Sequence, residues 1–129
     1  MSRWVPVGLG LVIVAGGVGA YAGSLGGPFI FDDMGSIPDN PFIRSLWPPQ
    51  FLWKTPADEA VSGRPVVRFT LAINYAIHGL SVWGYHAANI AIHVLSGLVL
   101  FDLVRRTLRQ PVFAERLVRA SDWLAAITA

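Results

Sequence analysis

Residues 4–23 read WVPVGLGLVIVAGGVGAYAG, and no charged side chain follows Arg3 until Asp32. About 20 predominantly apolar residues make an α-helix long enough to cross roughly 30 Å of hydrocarbon. A first membrane-spanning helix is therefore predicted over about residues 4–24. Its glycines at 8, 10, 16, 17, 19 and 23 would weaken a helix in water. In a membrane, small residues instead let neighbouring helices approach closely. Gly16, Gly19, Ala20 and Gly23 fall near one face and are the expected packing surface. The rival reading is a cleaved signal peptide, because Ala20-Tyr21-Ala22 has the small-residue pattern of a cleavage site. The length of the apolar run and the single preceding Arg3 argue against it.

A second apolar run follows at about residues 85–104, and Arg105-Arg106 stop it. Beyond it, residues 105–120 carry five arginines against the single acid Glu115. Ser121-Asp122-Trp123-Leu124 then opens a further apolar stretch to Ala129, with Ser121 as the expected N-cap. The intervening residues 25–84 hold Arg44, Lys54, Arg64 and Arg68 against Asp32, Asp33, Asp39, Asp58 and Glu59. The positive-inside rule places the basic stretch 105–120 and the N-terminus in the cytoplasm, and 25–84 outside. The expected fold is an all-α integral membrane region. Two transmembrane helices (4–24 and 85–104) are joined by an extracytoplasmic loop with short interfacial helices (25–84). A cytoplasmic basic loop (105–120) and the start of a third transmembrane helix (121–129) follow.

Composition agrees with that class. Hydrophobic residues make up 53% of the 129-residue chain and charged ones only 14%, where a soluble domain carries about a quarter charged residues. The mean hydropathy is +0.51, so the lipid bilayer must cover part of the surface. There is no cysteine, which excludes disulfides and thiolate metal sites. His and carboxylate ligands stay open for a divalent metal, but no cofactor is predicted. A net charge of +2, placed at the membrane ends, points to topology and to no nucleic-acid partner.

The loop is rich in proline (28, 38, 41, 48, 49 and 56), which resists helix interiors. Phe29, Phe31, Phe42, Trp47, Phe51 and Trp53 are interleaved with these prolines. Such anchors favour the headgroup region, so the loop should fold onto the membrane surface. After Arg64-Pro65, Val66, Phe69, Ile73 and Ile77 form an amphipathic stripe that ends at Gly79, as in an interfacial helix.

Three groups of residues could carry chemistry. Asp32-Asp33 are adjacent carboxylates in partly apolar surroundings and cannot both ionise freely, which makes one a candidate general base. The plain alternative is a solvated acidic pair at a membrane exit. Arg64, Arg68 and Lys54 could grip a phosphate, for which the guanidinium fork is suited; the alternative is headgroup binding or pairing with Asp58 and Glu59. His86, Asn89 and His93 share one face of the second long helix. Polar groups there usually meet other helices, and a structural polar face is expected rather than a metal site. Asp102 is expected to pair with Arg105-Arg106. No phosphate-binding glycine loop, nucleophile elbow or His-Glu-x-x-His pattern occurs.

Phe29-Ile30-Phe31-Asp32-Asp33, Ser36-Ile37, Asn40, Ser62-Gly63-Arg64-Pro65-Val66, Asn74-Tyr75-Ala76, Gly84-Tyr85-His86, Asn89 and His93 follow one another in a recognisable order. In this the chain resembles the N-terminal part of the multi-spanning C-superfamily glycosyltransferases. Within them it is similar to the tetratricopeptide-repeat branch, the TMTC-like O-mannosyltransferases and their bacterial relatives. The resemblance implies transfer of a sugar, with inversion, from a polyprenyl-phosphate carrier to an extracytoplasmic protein or glycan acceptor, at a bacterial inner membrane. It implies Asp32 as the base that deprotonates the acceptor hydroxyl, with Asp33 orienting it or binding acceptor. Arg64 would hold the carrier phosphate, with Arg68 beside it. Such enzymes have many more helices, so the chain is expected to be a fragment that is inactive alone. The reading from another class is a small non-enzymatic membrane protein whose outer loop binds a partner.

Overall fold

Apolar side chains on every side of a helix have to meet lipid or other helices, and the first helix is of this kind. In the computed structural model, which describes residues 4–49, 61–112 and 115–129, α1 runs Val5–Tyr21 with Pro6 in its first turn and no buried residue. A 3₁₀ extension, Ala22–Gly26, follows. The short α2 (Asp32–Ser36) and a 3₁₀ turn (Pro41–Ile43) come next, then α3 (Pro65–His78), α4 (Val82–Leu108) and α5 (Glu115–Thr128). No strand occurs among the described residues. Val5–Gly26 and Val82–Leu108 are both long and apolar enough to cross a membrane. At 27 residues, α4 outruns the expected 85–104 at both ends and carries Arg105 and Arg106 in its last turn.

The chain divides into two compact units, residues 24–88 and residues 1–23 with 89–129. In the second of these, α1 packs on α5 and meets the later part of α4. A Cβ added at Gly17 would lie 2.8 Å from Cγ2 of Val94. Gly10, two helical turns earlier, faces Leu98, and Gly97 on α4 faces Ile13. The packing face is thus the one through Gly10 and Gly17. Gly16, Gly19 and Gly23, expected to form it, have nothing within 4 Å. Glycine is spread all round α1, so composition does not choose the face; the partner helix does. Gly17→Leu should force α1 and α4 apart and lower stability by about 1–3 kcal/mol, the usual cost of overpacking. Gly16→Leu should not. Thermal unfolding of both variants in detergent, followed by helical ellipticity, checks this.

The basic segment after α4 is more ordered than a loop. α5 starts at Glu115, so Ser121 is no N-cap but lies inside the helix, fully buried. Its hydroxyl accepts from Nε of Arg109 at 3.1 Å. Asp122, also fully buried, accepts from Arg105 and Arg109. Asp102 pairs with Arg106 at 2.6 Å, one turn along α4, whereas Arg105 turns to Asp122 instead.

The 24–88 unit is built on Ile37, Ile43, Ala72 and Tyr85, with Phe29, Phe42, Leu71 and Tyr75 packed against them. Burying a side chain such as Ile43 completely contributes about 1.5–3 kcal/mol. Asn40 caps the 3₁₀ turn, its Oδ1 accepting from the Phe42 N–H at 2.9 Å. Arg44 ties this irregular stretch to α3. Its guanidinium donates to the carbonyls of Ile37 and Pro38 and lies 4.4 Å over the Tyr75 ring. Tyr85 donates to the carbonyl of Gly79 at 2.9 Å, closing the α3–α4 turn. Of the interleaved aromatics, Phe29 and Phe42 enter the core while Phe31 and Trp47 stand exposed. Phe51 and Trp53 lie outside the described residues.

Helix α3 is turned the opposite way from a helix of a water-soluble domain. Its apolar stripe, Val66, Phe69, Ile73 and Ile77, is exposed, while Arg68 and Ala72 on the other face are buried at 5% and 1% exposure. Water penalises that arrangement, and the apolar boundary of a bilayer rewards it.

Candidate functional site: an acidic turn and a buried arginine

Phe31 adopts φ +48° and ψ −118° directly before α2. An aromatic residue rarely takes a positive φ, and such strain persists where surrounding structure imposes it. The kink turns the chain into α2, with the Asp33 and Met34 N–H groups donating to the carbonyls of Ile30 and Phe31. Asp32 and Asp33 therefore occupy the first turn of this short helix. Their surroundings differ. Asp33 is half-buried, and its Oδ2 accepts from the Ile30 N–H at 3.4 Å. Asp32 is exposed, and its carboxylate has no ion-pair partner among the described residues. One carboxylate is tied to the turn and the other is presented outward.

The segment leading to this turn is braced from α4. Nε2 of His86 lies 3.1 Å from the carbonyl oxygen of Gly27, within hydrogen-bond distance. Phe29 meets Tyr85 edge-to-face at 5.4 Å. His86 thus ties the segment before the acidic turn to the start of α4. His93 meets the Tyr21 ring edge-on at 5.0 Å, and Asn89 is exposed. His86 and His93 accordingly meet different neighbours. Periodicity shows a shared helix face but not which side chains the neighbouring segments meet.

The cations also separate. Arg64 is the exposed N-cap residue of α3; its N–H donates to the Val61 carbonyl and its own carbonyl accepts from the Arg68 N–H. Arg68, one turn on, is 5% exposed, and its Nε and Nη1 find no hydrogen-bond partner. Burying a guanidinium without a counter-charge is expensive. The first turn of α3 contains no acid, and Pro65 stands near its start. Two cations and the positive end of a helix dipole gather there, a setting suited to an anion. No ion pair links Asp32 or Asp33 with Arg64 or Arg68. Lys54, Asp58 and Glu59 lie outside the described residues. Among the described residues, no three His, Asp or Glu side chains gather as a metal site would require.

In the sequence Asn40 stands only as part of the resemblance and Arg44 only as a charge of the loop, and neither signals its structural role by itself. The Asn40-Pro41 dipeptide, a turn signal, could have identified the cap. Nothing local announces the stacking of Arg44 on Tyr75.

Comparison with known proteins gives one consistent group. The chain is 34% identical over 104 residues to protein O-mannosyl-transferase F38B6.6 of Caenorhabditis elegans, covering 72% of this chain and 15% of that protein. It is 35% identical over 89 residues to protein O-mannosyl-transferase Tmtc3 of Drosophila melanogaster, covering 63% of this chain and 10% of the relative. To protein O-mannosyl-transferase TMTC1 of mouse it is 29% identical over 112 residues, 80% of this chain and 12% of the relative. The matches thus span 10–15% of the length of these relatives. No family model matches, and no solved structure matches significantly. With two apolar helices of spanning length and these matches, the chain is a membrane protein that belongs in sequence with the TMTC-like protein O-mannosyl-transferases, as the counterpart of a short part of them.

Proposed function

We propose that this chain forms part of a glycosyltransferase that moves a sugar from a polyprenyl-phosphate carrier to a hydroxyl of a protein acceptor outside the cytoplasm. Residues 25–84 face that side, and residues 105–120 face the cytoplasm. Asp32 accepts the proton of the acceptor hydroxyl. The resulting oxygen attacks the anomeric carbon on the face opposite the phosphate, the bond from that carbon to the phosphate oxygen breaks with its electron pair, and configuration inverts. Arg68 and Arg64 neutralise the departing phosphate. Asp33 holds the turn that presents Asp32, and His86 braces the segment before it.

The observation that carries this reading is the buried guanidinium of Arg68, without a partner at Nε and Nη1, in the same compact unit as the exposed carboxylate of Asp32. The similarity to proteins named O-mannosyl-transferases supports the reaction class. The matches span 10–15% of the length of those proteins, and the remaining walls of a donor cavity are assigned in this reading to segments outside the matched part. The purified 129-residue chain is therefore expected to transfer no sugar from a mannosyl-phosphoryl-polyprenol to a serine/threonine-rich peptide. A form extended to the length of the relatives is expected to do so. Measuring radiolabel passed to peptide from both forms tests this; transfer by the short chain, or none by the extended one, overturns the reading.

A further inference from the structure

One carboxylate of α5 gathers two arginines, one from the end of α4 and one from the turn that follows it. Arg105 lies in the last turn of α4, and Arg109 in the turn directly after its last residue, Leu108. Nε of Arg105 donates to Oδ1 of Asp122 at 2.6 Å, and Nη2 of Arg109 donates to the same oxygen at 2.8 Å. Two like charges do not come this close unaided; Asp122, fully buried, holds them side by side. A single carboxylate neutralises only one of them, so the cluster keeps a net positive charge. Ser121 fixes Arg109 further by accepting from its Nε.

Among the described residues neither guanidinium makes a further hydrogen bond. The Arg105 and Arg109 side chains are 22% and 37% exposed, while Asp122 closes the cluster from behind. The pair stands where the apolar run of α4 ends, after Phe101 and Val104, which is where a helix crossing a bilayer meets the headgroups. Two preorganised forks in that layer match a phosphate diester, which accepts several charge-assisted hydrogen bonds. Arg106 differs. It is largely exposed and pairs with Asp102 along the helix surface, an arrangement worth little.

We propose that Arg105 and Arg109, clamped by Asp122, form a binding site for the phosphate of an anionic phospholipid headgroup in the leaflet where α4 ends. The site belongs to the other compact unit from Asp32 and Arg68 and does not depend on the sugar-transfer reading. It adds to the general attraction of basic segments for anionic lipid a defined, stoichiometric seat.

Native mass spectrometry of the 129-residue chain in detergent, titrated with phosphatidylglycerol or phosphatidylcholine, tests the proposal. One phosphatidylglycerol is expected to be retained in preference to phosphatidylcholine. Arg105→Gln and Arg109→Gln should each weaken retention about ten-fold, as loss of a charge-assisted pair does, and Arg106→Gln should leave it within about two-fold. Asp122→Asn makes the region more positive, so attraction by charge alone requires tighter binding. A seat built by the carboxylate requires binding about five-fold weaker or worse, given that charge-assisted hydrogen bonds align the forks. Should Asp122→Asn lose its helical ellipticity, Arg105→Gln, which keeps the Arg109–Asp122 pair, decides. Equal retention of both lipids, a loss with Arg106→Gln equal to that with Arg105→Gln, or tighter binding by a folded Asp122→Asn variant overturns the proposal. Displacement of the lipid by an equal concentration of inorganic phosphate shows a free-phosphate site and overturns the lipid assignment.

Discussion

Asp32→Asn, placed in a transfer-competent full-length protein, should reduce sugar transfer by roughly 10²–10⁴-fold, the usual contribution of a positioned general base. The exchange keeps the size and shape of the side chain, and among the described residues Asp32 makes no ion pair that its loss would break. The α2 turn, held by the backbone bonds to Ile30 and Phe31, should therefore survive. Membrane insertion and thermal stability should be unchanged, so the loss is chemical. Asp33→Asn is the instructive neighbour. Its Oδ2 accepts a backbone N–H, and an amide oxygen can still accept, so its effect should be the smaller one. Measuring kcat and KM for both variants separates the roles. Activity that persists in Asp32→Asn removes Asp32 as the base, whatever happens at Asp33.

Arg68→Met should move activity and stability in opposite directions. Methionine fills a similar volume without charge, so it removes a buried cation whose Nε and Nη1 have no hydrogen-bond partner among the described residues and whose desolvation costs several kcal/mol. The variant is expected to unfold no earlier than the parent, and its midpoint should stay level or rise. Transfer should nonetheless fall about 10²–10³-fold, the size of effect seen when a donor to developing negative charge is removed. Because the phosphate gains charge as the sugar leaves, the loss should appear mainly in kcat. Arg64→Met, at the exposed N-cap position, should mainly raise KM for the carrier. An early-melting Arg68→Met protein with normal kcat would mean that Arg68 is a satisfied part of the core and that the phosphate is held elsewhere.

Several elements are legible from residue pattern because the pattern reports local physics. The chargeless run from Trp4 needs no partner to be read as a spanning helix, since length and hydropathy suffice. The stripe Val66, Phe69, Ile73 and Ile77 marks an amphipathic helix, and α3 occupies Pro65–His78. The acidic turn is visible as Asp32-Asp33 after an apolar triplet. What the pattern leaves out is the difference between the two carboxylates, because this depends on the kink at Phe31 and on the Ile30 N–H. Arg64 and Arg68 look alike in sequence, yet the solvent exposure that separates them is set by how α3 lies on Ile37, Ile43 and Tyr85. The same holds at Ser121. A hydroxyl before an apolar run reads as a cap, but Ser121 and Asp122 lie inside α5, bonded to Arg109 and Arg105.

The sequence by itself determined the class of this protein: an all-helical chain with two helices apolar enough to cross a bilayer, separated by an aromatic, proline-rich segment. Hydrophobic length and charge placement are sums over residues, and sums can be read without coordinates. Only the tertiary structure decided which glycine face of α1 packs, which carboxylate stands open, which arginine of α3 is buried, and that Asp122 joins two arginines into one cluster. Each of these is a property of a pair of residues distant in sequence. Their separation and solvation follow from the packing of whole helices, which no local pattern encodes.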